Sequence, residues 1–260
     1  MLGRNSLGLI LFIIALFYNC STKKDVLYVQ DVSDKELYNV SYDEYKIQLD
    51  DVLKISILSK DPETTLEFNP SASNVTNSKE ILLYNGYQVN QNGNINFSSI
   101  GEINVEGLTI IQAVELVRKI IVENKILIDP IVDIKLLNTH FIILGEVNRP
   151  GKYDFFKNNL NILEAIGMAG DLTINGERKK IKVLRNKISS DKSRFKKIFS
   201  VDLTSSDFIN SDAFQILSGD IIIVNPNSSR IKNAGIIGNS GTLLSLLSFV
   251  LSSIIVISNW

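Results

Sequence analysis

Leu144-Gly145-Glu146-Val147-Asn148-Arg149-Pro150-Gly151-Lys152-Tyr153 is the stretch whose reading decides how the second half of the chain is built. Phe141–Leu144 ahead of it is a short continuous apolar run, the mark of a buried strand. Pro150-Gly151 is suited to a type II turn, because proline presets φ and glycine accepts a positive one. Past the turn, Leu160-Asn161-Ile162-Leu163-Glu164-Ala165 opens a helix. Asn161 caps it, Glu164 closes a capping box three residues later, and Leu160 can staple onto Ala165. Gly170, after Met168-Ala169, supplies the exit that keeps this helix short. Strands bracket it: Val132, Ile134 and Leu136 alternate with Asp133 and Lys135, and Ile181 and Val183 alternate with Lys182.

Working outward, the first half repeats the same devices. Leu108-Thr109-Ile110-Ile111-Gln112-Ala113 starts a helix with Thr109 as cap and Gln112 as box partner. Ala113, Val114, Val117, Ile120 and Ile121 form its buried face, with Glu115, Arg118, Lys119 and Glu123 in water. Asn92-Gly93 predicts a hairpin across Val89–Phe97, since both residues tolerate positive φ. Ile103 and Val105 add a strand, and residues 62–84 read as a long loop or insertion. Tyr45–Ile55 places the turn Asp50-Asp51 between two strand-like runs, and a related pattern returns as Ile216-Leu217-Ser218-Gly219-Asp220-Ile221. In both, an acid (Asp51, Asp220) precedes aliphatic residues. An acid that bonds its own backbone at a turn explains this better than a catalytic pair does.

Both ends are apolar. Asn233–Trp260 carries no charge, and a helix from Thr242 to Trp260 would be roughly 28 Å long, near the thickness of a hydrocarbon core. At 100° per residue Gly241, Ser245, Ser248, Ser252 and Asn259 share one stripe. Such a stripe can line helix–helix contacts, face a wet lumen shared among copies, or be tolerated in a plain anchor. At the other end Arg4 precedes the apolar run Leu7–Phe17, the layout of a secretory signal. Cys20 follows, then Ser21-Thr22-Lys23-Lys24, which reads as a lipidated cysteine or as part of an uncleaved anchor. Lys23–Tyr42 reads as a tether followed by the first ordered strand.

Composition bounds the rest. With both ends set aside, roughly 210 residues remain, enough for one or two domains with real cores. Basic residues number 27 and acidic 28, a net charge of −1, so bulk electrostatics does not point to nucleic acid. A single cysteine excludes an intrachain disulfide. The one histidine, His140, borders an apolar strand without a partner cluster. No spacing of His or Cys suits zinc, no glycine-rich loop suits a phosphate, and no pattern of carboxylates suits acid–base work. The expectation is a non-enzyme without cofactor or metal.

Leu144–Val147, Arg149–Tyr153, Leu163-Glu164-Ala165-Ile166 and Ala169-Gly170 resemble the SLBB domain, a soluble-ligand-binding β-grasp. Tyr45–Ile55, Val89–Phe97, Gly101–Val105 and Gly107-Leu108-Thr109 look like the polysaccharide biosynthesis/export domain that precedes it. The order along the chain is similar to outer-membrane polysaccharide export proteins of the Wza type. The resemblance covers about Ser41 to Val224. It implies an α+β fold: signal peptide 1–19, lipidated tether 20–40, export domain 41–136, β-grasp-like SLBB domain 137–227, and linker with C-terminal transmembrane helix 228–260. It implies Cys20 as lipid attachment, Gly145, Pro150, Gly151 and Gly170 as structural SLBB positions, and Asp51, Gly219 and Asp220 as turn residues. The family's usual Gly-Asp at the first turn is Asp50-Asp51 here. By resemblance the partners are a capsular or extracellular polysaccharide, the membrane, copies forming a homo-oligomeric ring, and an inner-membrane co-polymerase or tyrosine-kinase-type protein. The ring would be an outer-membrane conduit with Gly241, Ser245, Ser248, Ser252 and Asn259 lining it. A membrane-tethered glycan-binding module and an inner-membrane assembly factor are the alternatives.

Overall fold

Alternation sets the first sheet. In β1 (Val52–Leu58) Leu53, Ile55 and Ile57 turn inward while Lys54 and Leu58 are exposed. The strand pairs antiparallel with β5 (Ile131–Leu136), from Leu53↔Leu136 to Leu58↔Ile131, and with the short β2 (Tyr87–Gln88) on its other side. A separate ribbon joins β3 (Asn94–Phe97) to β4 (Gly101–Asn104). Helix α1 (Ile110–Glu123) closes this first core with Ala113, Val117 and Ile121. Its predicted capping box is present: Thr109 Oγ1 accepts from Gln112 N, and Gln112 Oε1 accepts from Thr109 N.

The second unit is a five-stranded sheet in the order β10-β9-β12-β6-β7. Its strands are β6 (His140–Gly145), β7 (Gly151–Asp154), β9 (Ile181–Ile188), β10 (Arg194–Val201) and β12 (Ile221–Val224). β12 runs parallel to β6, and the other pairs are antiparallel. Against one face lie helix α2 (Ile162–Met168), a 3-10 helix at Ser206–Asn210 and a ribbon of β8 (Leu160–Asn161) with β11 (Gln215–Ile216). Phe141, Ile143, Val183 and Ile222 of the sheet meet Ile162, Ala165, Ile166 and Phe208 there. The expected box of Asn161 and Glu164 starts α2. Gly170, at φ +76°, ends it, donating to Gly167 O while Asp171 N reaches Ile166 O. The chain is therefore a mixed α and β protein with two cores.

The computed structural model describes residues 23–32, 37, 38, 40, 42–60, 65, 83–97, 100–188, 193–228, 231 and 240–258. The signal segment, Cys20, Asn259 and most of the loop expected at 62–84 lie outside the described residues.

Four expectations change. Pro150-Gly151 does not make a type II turn, because Gly151 pairs with Ile143 as the first residue of β7 and its φ of 159° is near extended. The Asn92-Gly93 turn forms, with Gly93 at φ +80° and Asn90 N donating to Asn94 O at 2.8 Å. It does not fold β3 back on β2, however. Gly93 O accepts from Val105 N and Glu106 N, so β3 is held beside β4, while β2 is spent on β1. The described part of the tether is docked, not free: Val29 N donates to Leu203 O, Asp31 accepts from Ser205 and Ser206, and Asp25 pairs with Lys179.

The fourth correction concerns the C-terminus. A 19-residue helix, Ser240–Ser258, is present, yet among the described residues no helix is long and apolar enough to cross a membrane. Its length is that of a spanning segment, about 28 Å, but eight of its residues are Ser, Gly or Thr, which dilutes its apolar character. Ser245, Ser248, Ser252 and Ser253 each donate to the carbonyl four residues back, which hides their polarity from whatever the helix faces. Leu244, Leu246, Phe249, Leu251 and Val256 are exposed, and none of the helix's described side chains joins either core.

Candidate functional site

The two acid turns singled out in the sequence meet at the junction of the two units. Asp51 Oδ2 accepts from Gln48 N at 2.8 Å, and Asp220 Oδ2 accepts from Leu217 N at 2.9 Å, the same contact three residues back. The residue before each acid is left-handed, Asp50 at φ +64° and Gly219 at φ +84°. An aspartate can occupy that position at modest cost, so the departure from Gly-Asp leaves the turn intact. The connecting segment stitches both turns together. Leu137 N donates to Val52 O, Asn138 bonds Val52 N and Asp50 O through its side chain, and His140 O accepts from Gly219 N. His140 is half-buried at the start of β6, its Nδ1 at 2.8 Å from Asn138 O.

The acids differ in what neutralises them. Asp220, fully buried, meets the guanidinium of Arg185 in a two-pronged contact, Nε–Oδ1 2.9 Å and Nη2–Oδ2 2.7 Å. Arg185 also donates to the carbonyls of Asp212 and Gln215. Burial raises the Asp220 carboxyl, and Arg185 opposes that rise. Asp51 has no such cation. Its oxygens accept from the Tyr45 hydroxyl at 2.9 and 3.1 Å. Burial pushes Asp51 up to about 6, against the pull of Gln48 N–H and the Tyr45 hydroxyl. Burial raises Tyr45 in turn, and the charge of Asp51 adds to the effect.

Tyr45 ends a short strap that ties the units. Asp43 N donates to Gln215 Oε1 at 2.7 Å, Gln215 Nε2 donates to Asp43 O at 3.1 Å, and Tyr42 packs near Phe214. Beside the strap is a cleft of about 390 Å³. Asp43, Glu44, Tyr45, Lys46, Gln48 and Thr109 line one wall, and Arg185, Asn186, Lys187 and Leu217 the other. Carboxylates, ammonium groups and amides together suit a hydroxyl-rich ligand more than an apolar one. Among the described residues no group of three or more His, Cys, Asp or Glu could hold a metal ion.

Because Asp51 titrates higher folded than its ordinary value of 3.8, its contribution is complete below that value and is lost as pH rises through about 6. The loss expected between pH 4 and 7 is on the order of 2 kcal/mol. Urea denaturation of the wild type against Asp51→Asn over that range checks it. A wild-type profile no steeper than the variant's would remove Asp51 as the titrating group.

The junction collects Asp51, Gly219 and Asp220. Gly145 lies at the far end of β6, where a Cβ would stand 1.9 Å from Val224 O. Gly170, Pro150 and Gly151 frame α2 and β7, and the serine stripe stands apart on the C-terminal helix. Sequence reasoning missed Arg185, Gln215 and the role of Tyr45. Arg185 did carry a signal, a charge at the inward parity shared with Ile181 and Val183.

With this geometry in place, two family patterns match the chain: polysaccharide biosynthesis/export protein over residues 39–137, and SLBB domain over residues 139–224. No curated protein is significantly similar to it.

Proposed function

Since the chain belongs to the polysaccharide export proteins of the Wza type, built from transport and binding modules of the cell envelope, we propose that it forms an oligomeric conduit for capsular or extracellular polysaccharide at the outer membrane. Cys20 would carry the lipid anchor. The C-terminal helices would gather about the ring axis, with Gly241, Ser245, Ser248, Ser252 and Asn259 toward the lumen. The observation that carries this reading is the uncharged helix Ser240–Ser258, whose Leu244, Phe249 and Val256 are exposed and have no place in either core. Helices gathered in this way would cover one another's serine side. Hydroxyls bonded to their own backbone would leave a smooth wall, which suits a polymer that slides. An inner-membrane co-polymerase or kinase-type partner would feed it.

The test is Ser248→Leu with Ser252→Leu in the full chain. Surface polysaccharide should disappear while protein level and ring formation persist. Unchanged secretion would remove the serine stripe from the export path. A second reading, a tethered glycan-binding module, draws on the polar cleft at the junction. It is favoured if the detergent-extracted protein stays monomeric at every concentration.

A further inference from the structure

A sheet with its core on one side normally turns polar residues to water on the other, and the five-stranded sheet does not. Register places Ile142, Ile221, Leu184 and Ile198 in one outward row across β6, β12, β9 and β10, with Leu144 and Ile223 in the next. Ile198 is 63% exposed and Leu144 45%, and the other four are half-buried. A contiguous apolar patch of this kind marks an interaction surface. Lysines surround it. Lys152 continues the first row on β7, and Lys182 continues the second on β9. Lys196 stands on β10 opposite Asn186, and Lys180 precedes β9 at the parity of Lys182. All four are exposed, and among the described residues none of them has an ion pair. The strands bring one acid to this face, Asp154, at the corner where β7 meets His140.

The N-terminal segment arrives at the same place. Asp25, in the 3-10 turn Lys23–Asp25, pairs with Lys179 at 2.7 Å, one residue ahead of Lys180. Lys24 and Leu27 of that segment are exposed. Cys20 precedes Lys23 by three residues, a reach of at most about 11 Å. A lipid on Cys20 would therefore bring a bilayer to the end of β9 where Lys180 and Lys182 project. We infer that the outer face of this sheet rests on the anionic surface of the leaflet that holds the Cys20 lipid. The aliphatic rows meet the upper acyl carbons, and the lysines meet the phosphates. Apolar area and basic side chains on one surface are the pair of attractions that interfacial binding uses. The acyl chains supply attachment and the face supplies orientation, since a lipidated residue alone lets the body swivel about it. The inference rests on the reading of Cys20 as the lipid anchor and goes beyond it by naming the surface that lies on the membrane. An acidic protein would also satisfy the lysines, but it would give no reason for them to gather where the anchored end emerges.

Nitroxide labels on the full chain test it. Leu144→Cys and Ile198→Cys report on the face, and Leu163→Cys, exposed on α2 across the core, is the control. The wild type, its cysteine occupied by lipid, should take no label. In vesicles of phosphatidylglycerol with phosphatidylcholine, Leu144→Cys and Ile198→Cys labels should collide more with oxygen, which concentrates in lipid, than with a water-soluble nickel chelate. The Leu163→Cys label should favour the chelate. Adding Lys182→Glu and Lys196→Glu should abolish the oxygen preference of the Ile198→Cys label, while the protein stays on the vesicles through its ends. Face labels open to the chelate in these vesicles would overturn the inference, and so would a charge variant that keeps the oxygen preference. Face labels shielded from both reagents already in detergent would overturn it in favour of a protein cover, a second copy included. A wild type that takes label at Cys20 would instead remove the anchor reading on which the inference rests.

Discussion

Arg185→Met is expected to cost about 3–5 kcal/mol of folding stability, because it leaves the buried Asp220 carboxylate with no cation. The loss is that large because Asp220 has no access to water that could replace the guanidinium. Arg185 also bonds the carbonyls of Asp212 and Gln215, so the same change loosens the loop carrying β11. Gln215 in turn holds Asp43, and hydrogen exchange along residues 42–48 should quicken more than in α1. Urea denaturation followed by circular dichroism gives the energy. Adding Asp220→Asn to the variant should return part of the loss, since the uncompensated charge goes with it. A penalty near 1 kcal/mol, the size of an exposed pair, would mean that water reaches this carboxylate.

Gly145→Ala should be comparably severe, for a reason of shape instead of charge. Gly145 closes the parallel ladder of β6 on β12, opposite Val224, and Glu146 N donates to Val224 O at 2.9 Å. A methyl group there would stand 1.9 Å from that oxygen, on a residue at φ +94°. Relief requires the strands to part, which breaks the ladder and opens the core at Val224. A loss of about 3 kcal/mol or more is expected. Gly101→Ala is the matched control. Gly101 has nearly the same φ, +97°, but nothing within 4 Å of the added carbon. It should lose only the backbone preference, about 1 kcal/mol. Equal losses in the two variants would show that the contact with Val224 O contributes nothing.

Much of the fold was legible because its signals are local. Thr109 with Gln112 and Asn161 with Glu164 announce both helix starts, since a cap satisfies backbone groups within one turn of chain. The parity of Leu53, Ile55 and Ile57, or of Ile181 and Val183, announces which face is inward. The turn acids Asp51 and Asp220 were legible as turn acids for the same reason, their contacts lying three residues away. Where partners lie far along the chain, local reading failed. Pro150-Gly151 has the composition of a turn, but pairing with Ile143 made Gly151 a strand residue. Asn92-Gly93 made its turn, yet the hold of Gly93 O on Val105 N and Glu106 N kept β3 with β4.

By itself, then, the amino-acid order determined the starts of the two internal helices, the inward faces of the strands, the two acid turns and the uncharged C-terminal run, because each depends on neighbours within a few residues. Tertiary structure alone decided that the two turns share one junction, that Arg185 and not solvent neutralises Asp220, and that the residues around Val29 are docked instead of tethering. It also decided that Ile142, Leu144, Leu184, Ile198, Ile221 and Ile223 face outward from the second sheet. Those outcomes depend on strand order and on contacts between groups as far apart as Asp43 and Gln215. The free energy of such contacts is set by burial at the meeting point, a quantity that no local pattern carries.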